Sequence, residues 1–317
     1  MIGTSGAGPV VLHHSPVADA RHRLTLLHGL GNSSGIWQPF LAGRPAETDI
    51  WLADLPWRAG HDPSWAHDDE PWSWVDRALS EVPGGAGVVV AHSFSAVLLL
   101  ELLSRALVAG TDPARRYGLT GLVLVAPFYK RHPRQFDWAE LSRYKDDYAR
   151  LMAEGIRVVA GSRTSPELCA LMADRVRDWL GPYGWLRFVD SYLRTPWLRT
   201  DLLAWPTLVV SGRDDFAALP AEGEVLAAEL PRAELRVLDD CGHFLMAERP
   251  AAFSAVVDEF LLQLAASDAG TTTPHRHGRR SDEPHDRDRA EVAGREHDDG
   301  DGAAPLRGLQ HRYLDRV

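Results

Sequence analysis

The sequence predicts an α/β fold: a mainly parallel sheet flanked by helices. Short strand-like runs recur at LTLLHG (Leu24 to Gly29), DIWLADL (Asp49 to Leu55), GVVVAHS (Gly87 to Ser93), GLVLVAPF (Gly121 to Phe128), PTLVVSG (Pro206 to Gly212) and AELRVLDD (Ala233 to Asp240). Several are apolar throughout instead of alternating, which marks strands covered on both faces. Helix-spaced stretches such as EPWSWVDRALSEV separate them. Strand and helix in alternation imply parallel strands joined by crossovers.

The strand-bearing core is expected to span residues 1–128 and 205–265, interrupted by a helical insertion at 129–204. In that insertion the strand signal stops, and DWAELSRYKDDYARLMAEG, SPELCALMADRVRDWLG and GWLRFVDSYLRT follow with helical spacing. It leaves the sheet after one strand and returns before the next, so it is predicted to lie as a lid over the strand ends, where ligands bind in open α/β sheets. Residues 266–317 are charged, mixed in sign and nearly free of large apolar side chains, and are expected to form a disordered tail. Its histidines, His275, His277, His285, His297 and His311, lack a fold to fix ligand geometry, so no metal site is predicted there.

With 45% hydrophobic residues in 317, the chain can bury a sizeable core. Its formal charge of −10 argues against a nucleic-acid partner, which would call for clustered Lys and Arg. Cys169 and Cys241 are too few for a disulfide framework or a metal cluster. The N-terminus lacks a basic region followed by a long apolar run, and no segment approaches the length of a membrane span. The expectation is a soluble cytoplasmic protein with no membrane partner, its oligomeric state unread.

The chemistry centres on GVVVAHSFSAVLLLELL, where a strand pattern turns into a helix pattern within AHSFSA. A corner this tight holds its central residue, Ser93, in strained backbone and needs small neighbours two residues away, here Ala91 and Ser95. Such a corner exposes a nucleophile and aims the next amide, that of Phe94, at the site of a developing oxyanion beside a helix N-terminus. A serine N-cap is the plainer reading of Ser93. A serine nucleophile needs a base and an orienting acid. GRDDF offers Asp214 and Asp215 after one strand, and the loop after a later strand carries His243, which could otherwise be a core histidine. The chain order is Ser, Asp, His.

From about Leu24 to Leu264 the chain resembles α/β-hydrolase-fold proteins of the lidded lipase, esterase and thioesterase type. AHSFSA resembles the family's GHSMGG elbow, with Ala91 and Ser95 where the family has glycine. GRDDF resembles its GxxDP acid loop, CGHFLMAERPAAF its CGHFPxxExPxxF ending, and HGLGNSSGIW its HGxxG oxyanion loop. The resemblance implies a catalytic triad of Ser93, Asp215 and His243, with the amides of Leu30 and Phe94 as oxyanion donors. His28 and His92 would shape hydrogen bonds around the two loops. ADLPWRAGHD matches the family's DxPGHG segment loosely, and Asp54 receives no role. Trp37 and Phe94, with some of the insertion aromatics, are expected to wall an apolar substrate pocket.

The implied activity is a serine hydrolase that cleaves an ester, thioester or related acyl bond of a small apolar substrate through an acyl-enzyme, without metal or organic cofactor. Acyltransferase, lyase, cyclase or C–C hydrolase chemistry in secondary metabolism fits the same scaffold. A ligand-sensing protein is the reading from another class. Against it, the sequence keeps Ser93, Asp215, His243, Gly29 and Gly31.

Overall fold

The structure, a computed structural model, describes residues 3–5, 10–58, 63–160 and 164–271. The strands, in chain order, are β1 (Gly3–Ser5), β2 (Val11–Ser15), β3 (His22–Leu27), β4 (Thr48–Asp54), β5 (Gly87–His92), β6 (Leu119–Val125), β7 (Thr207–Gly212) and β8 (Ala233–Leu238). They form one sheet in the order β1-β2-β4-β3-β5-β6-β7-β8. From β4 to β8 all neighbours are parallel, whereas β2 pairs antiparallel with both β1 and β4. All six runs expected to be strands are strands. Every residue of β4 and of β7 is buried, which accounts for the apolar centres of the two runs, IWLA and LVV.

The sequence reading did not anticipate β1 or β2. The reason for β2 is chemical: beside buried Leu12, its polar HH pair is matched by side-chain hydrogen bonds to the neighbouring strand. His13 Nε2 lies 3.0 Å from Asp54 Oδ2, and His14 Nε2 lies 2.6 Å from Asp49 Oδ1, both carboxylates on β4.

The α-helices are α1 (Gln38–Ala42), α2 (Trp72–Ser80), α3 (Phe94–Val108), α4 (Pro113–Tyr117), α5 (Trp138–Ala160), α6 (Pro166–Leu193), α7 (Pro220–Glu229), α8 (Leu245–Glu248) and α9 (Pro250–Thr271). α9 continues past the Ala266 boundary expected for the tail, and the rest of that tail lies outside the described residues. Among the described residues no helix is long and apolar enough to cross a membrane.

α5 and α6 occupy the insertion between β6 and β7. The two stretches read separately as SPELCALMADRVRDWLG and GWLRFVDSYLRT are the two helical segments of α6, which meet where Gly181 leaves the helical region, at φ 62° and ψ −180°, ahead of Pro182. A buried polar knot fastens both helices to the core. Glu222, at the start of α7, accepts hydrogen bonds from the hydroxyls of Tyr144 on α5 and Tyr192 on α6, and from the Tyr129 amide. Lys130 Nζ stands 3.1 Å from the same carboxylate. Burial pushes the Glu222 carboxyl upward, against the pull of Lys130 and these donors.

Candidate active site

β5 ends at His92 and α3 begins at Phe94, so Ser93 alone makes the corner. Its backbone sits at φ 57° and ψ −120°, outside the regions a serine ordinarily adopts. Such strain costs on the order of 1–3 kcal/mol and persists only where its surroundings enforce it. Here the Ser93 amide donates to Val125 O at 2.9 Å, and Ala91 and Ser95 are fully buried against the corner. Ser93 occupies the N-cap position of α3, but its side chain makes no capping bond. The hydroxyl meets His243 Nε2 at 2.9 Å instead.

Asp215 and His243 come from the loops after β7 and β8. His243 Nδ1 lies 2.7 Å from Asp215 Oδ2. Asp215 Oδ1 is held by the amides of Ala217 and Ala218 at 2.8 and 3.0 Å, so both carboxylate oxygens are engaged. Asp214, the competing acid, faces solvent, and its amide donates to Cys241 O at 3.0 Å. This brings the acid and base loops together, and glycine makes it possible: a Cβ on Gly212 would come within 2.1 Å of Gly242 O. Glu248 braces the base loop from α8. Its carboxylate accepts from the Gly242 amide at 3.0 Å and the Phe244 amide at 2.9 Å, one on each side of His243. Sequence reasoning quoted this glutamate within a motif and gave it no task.

The HGLGNSSG loop packs directly on the elbow. A Cβ at Gly29 would meet His92 Nδ1 at 2.8 Å and Ser93 Cβ at 3.0 Å, so only glycine allows the approach. Ser95 ties the two together by donating its hydroxyl to His28 O at 2.5 Å. The serine found where the elbow motif has glycine therefore makes a bond that glycine could not. Asp54 gains a role as well, accepting from the Ser34 amide at 2.6 Å and so anchoring the far end of the loop. Among the described residues, the amides of Leu30 and Phe94 donate to no protein acceptor.

Two further histidines are held neutral. His28 Nε2 accepts from the Leu55 amide at 2.9 Å while Nδ1 donates to Gly29 O at 2.8 Å, and burial lowers its pKa to about 4. His92 Nε2 donates to His243 O at 2.9 Å. Burial, and then the nearby His243, hold the His92 imidazole well below the ordinary histidine range.

Residues 26–256 match the sequence model of the alpha/beta hydrolase family. The chain belongs to that family. It is 26% identical over 258 residues, 75% of this chain and 98% of the relative, to a pimeloyl-[acyl-carrier protein] methyl ester esterase of Aromatoleum aromaticum. The fold also superposes on a thioesterase domain from the curacin biosynthetic pathway with a TM-score of 0.54 at 17% identity, covering 81% of this chain and 98% of that one. A meta-cleavage product hydrolase superposes with a TM-score of 0.58 at 19% identity, covering 82% and 98%.

In this alpha/beta hydrolase Ser93 opens into a cavity of about 20 Å3, room for about one water. Its walls include Leu30, Phe128, Phe244, Phe188 of α6, and Tyr148, Leu151 and Met152 of α5. Two sequence expectations need correction here. Trp37 is fully buried behind the site among Phe40, His92 and Phe253, and touches the hydrolase's histidines only through the back of His92. The Phe94 side chain turns away to pack edge-on against Trp57 and Phe188, with Trp65 beside it. Neither side chain is among the walls. Phe128, Met152 and Phe244 take their place, and apolar residues at strand and helix ends carry no sequence signal that separates cavity wall from core.

Proposed function

We propose that this hydrolase cleaves an ester, thioester or related acyl bond of a small, apolar substrate through a covalent intermediate on Ser93. The carrying observation is the continuous hydrogen-bonded line from Asp215 through His243 to Ser93, with steps of 2.7 and 2.9 Å. His243 Nε2 removes the Ser93 proton as the hydroxyl attacks the acyl carbon, while Asp215 fixes the tautomer and offsets the charge that develops on the imidazole. The unbonded amides of Leu30 and Phe94 receive the oxyanion, each worth roughly 3 kcal/mol by analogy with other acyl-transfer enzymes. His243 then returns the proton to the leaving group and activates water to release the acid. Neutral His92, tilted against His243 with ring centroids 4.9 Å apart, adds no like charge to the imidazolium.

A space of about 20 Å3 is too small for an acyl group, so α5 and α6 act as a lid that parts to admit one. A groove of about 500 Å3 beside it supports an apolar chain as the occupant. Ile156, Val159, Val176 and Trp179 line that groove, which shares Asn32 and Met152 with the serine cavity. The esterase of Aromatoleum aromaticum, named for an acyl methyl ester, supports the same bond type. The reading needs no metal or organic cofactor and no nucleic acid, and it places the reaction in the cytoplasm, in keeping with free Cys169 and Cys241. Turnover of p-nitrophenyl esters from acetate to octanoate tests it. Hydrolysis should fall by at least about a thousandfold in Ser93→Ala. Equal rates in the two proteins would sink the proposal.

A further inference from the structure

Tyr148 projects from α5 and forms part of the wall of the Ser93 cavity. It is only 9% exposed, and its hydroxyl has no hydrogen-bond partner among the described residues. One turn earlier on the same helix, the Tyr144 hydroxyl is bonded to Tyr192, Glu140 and Glu222. The contrast is informative because a phenylalanine at 148 would fill the same volume and strand no polar atom. Buried polar groups in folded proteins find partners, and an orphan beside a reactive centre points to a ligand that supplies one. Burial raises the phenol's pKa, so it stays neutral and able to donate.

The Ser93 cavity that Tyr148 helps to wall has room for about one water. A hydroxyl on the acyl group is of that size and accepts from the phenol, whose donor no protein group satisfies.

We propose that Tyr148 is a specificity-determining residue that donates a hydrogen bond to a hydroxyl on the acyl group, so that the enzyme prefers hydroxyacyl esters or thioesters over plain ones. The proposal rests on the acyl-hydrolase reading above and names its substrate class. Sites built to bond a substrate hydroxyl discriminate against analogues that lack it.

The test compares p-nitrophenyl butanoate with p-nitrophenyl 3-hydroxybutanoate in the wild type and in Tyr148→Phe. For the hydroxy ester, kcat/KM should fall by about fivefold or more in the variant, chiefly through KM. The plain ester should lose clearly less, so that the ratio of the two kcat/KM values falls, and Tm should not drop, since no protein bond is lost. An equal fall on both esters, or none on either, overturns the proposal. Binding of the two ethyl esters to Ser93→Ala and to Ser93→Ala/Tyr148→Phe, measured by calorimetry, separates this result from failure of the acyl-hydrolase reading. Weakening confined to the hydroxy ester supports Tyr148 even where the wild type turns over neither substrate. Equal affinities in the two proteins, or no binding of the hydroxy ester to either, overturn it.

Discussion

Ser95 shows how a single departure from a motif can be structural. Its hydroxyl joins the elbow helix to the oxyanion loop through His28 O, so Ser95→Ala should cost about 1 kcal/mol of stability by denaturant unfolding. An unchanged midpoint would show that the bond contributes nothing. Glu248 acts on the site through His243, gripping the amides at Gly242 and Phe244. Glu248→Ala is expected to lower kcat by about tenfold with little change in KM, because a loosened base misplaces the transition state more than it weakens substrate binding. A change confined to KM would contradict that positioning role. The meeting of Ser93, Asp215 and His243 was legible in the sequence because few residue types fit the proposed relay, and each follows a recognisable strand. Trp37 and Phe94 were misread because sequence gives adjacency but not direction. The Phe94 amide opens the helix beside Ser93 while its ring packs against Trp57 and Phe188.

At the scale of elements, the helical insertion supplies much of the wall around Ser93. α5 and α6 close over Ser93 with Tyr148, Met152 and Phe188, and the knot at Glu222 anchors both to the core. The neighbouring groove runs along the oxyanion loop, where a Cβ on Gly31 would meet Met152 Sδ at 2.8 Å and Val176 Cγ1 at 3.1 Å. Val176→Trp should fill this groove and reduce hydrolysis of the octanoate ester by about tenfold relative to acetate. Unaltered chain-length preference would place the acyl chain elsewhere. The insertion's helical character was readable because its composition broke from the β pattern, and the break inside α6 falls at Gly181 and Pro182, a pair that reads as a helix stop. β2 escaped because its HH pair reads as polar loop until the β4 carboxylates that bond it, distant in sequence, are placed beside it.

At the scale of the whole molecule, buried histidines set the acid limit of the fold. His28, with its pKa lowered to about 4, and His92, also lowered, hold fewer protons folded than unfolded. Their contributions are fully present above the unfolded value near 6.5 and are lost as pH falls through it toward the folded values, at up to about 1.4 kcal/mol per pH unit for each histidine. Glu222, with its carboxyl raised, works in the opposite sense as pH climbs above its unfolded value, and one such group does not cancel two histidines. Stability measured by urea unfolding should therefore fall between pH 6.5 and 5, and a flat or rising profile would contradict the neutral-histidine assignment. The parallel sheet itself was legible from its apolar strand runs. The meeting of three loops around one hydroxyl was expected from the motifs, but the close approaches at Gly29 and Gly212 that permit it are displayed only by coordinates. The most direct test of the central claim is labelling with a fluorophosphonate, read by peptide mass spectrometry. One adduct should form on the peptide carrying Ser93, vanish in Ser93→Ala and form far more slowly in His243→Ala. No adduct, or one that survives in Ser93→Ala, would contradict the account.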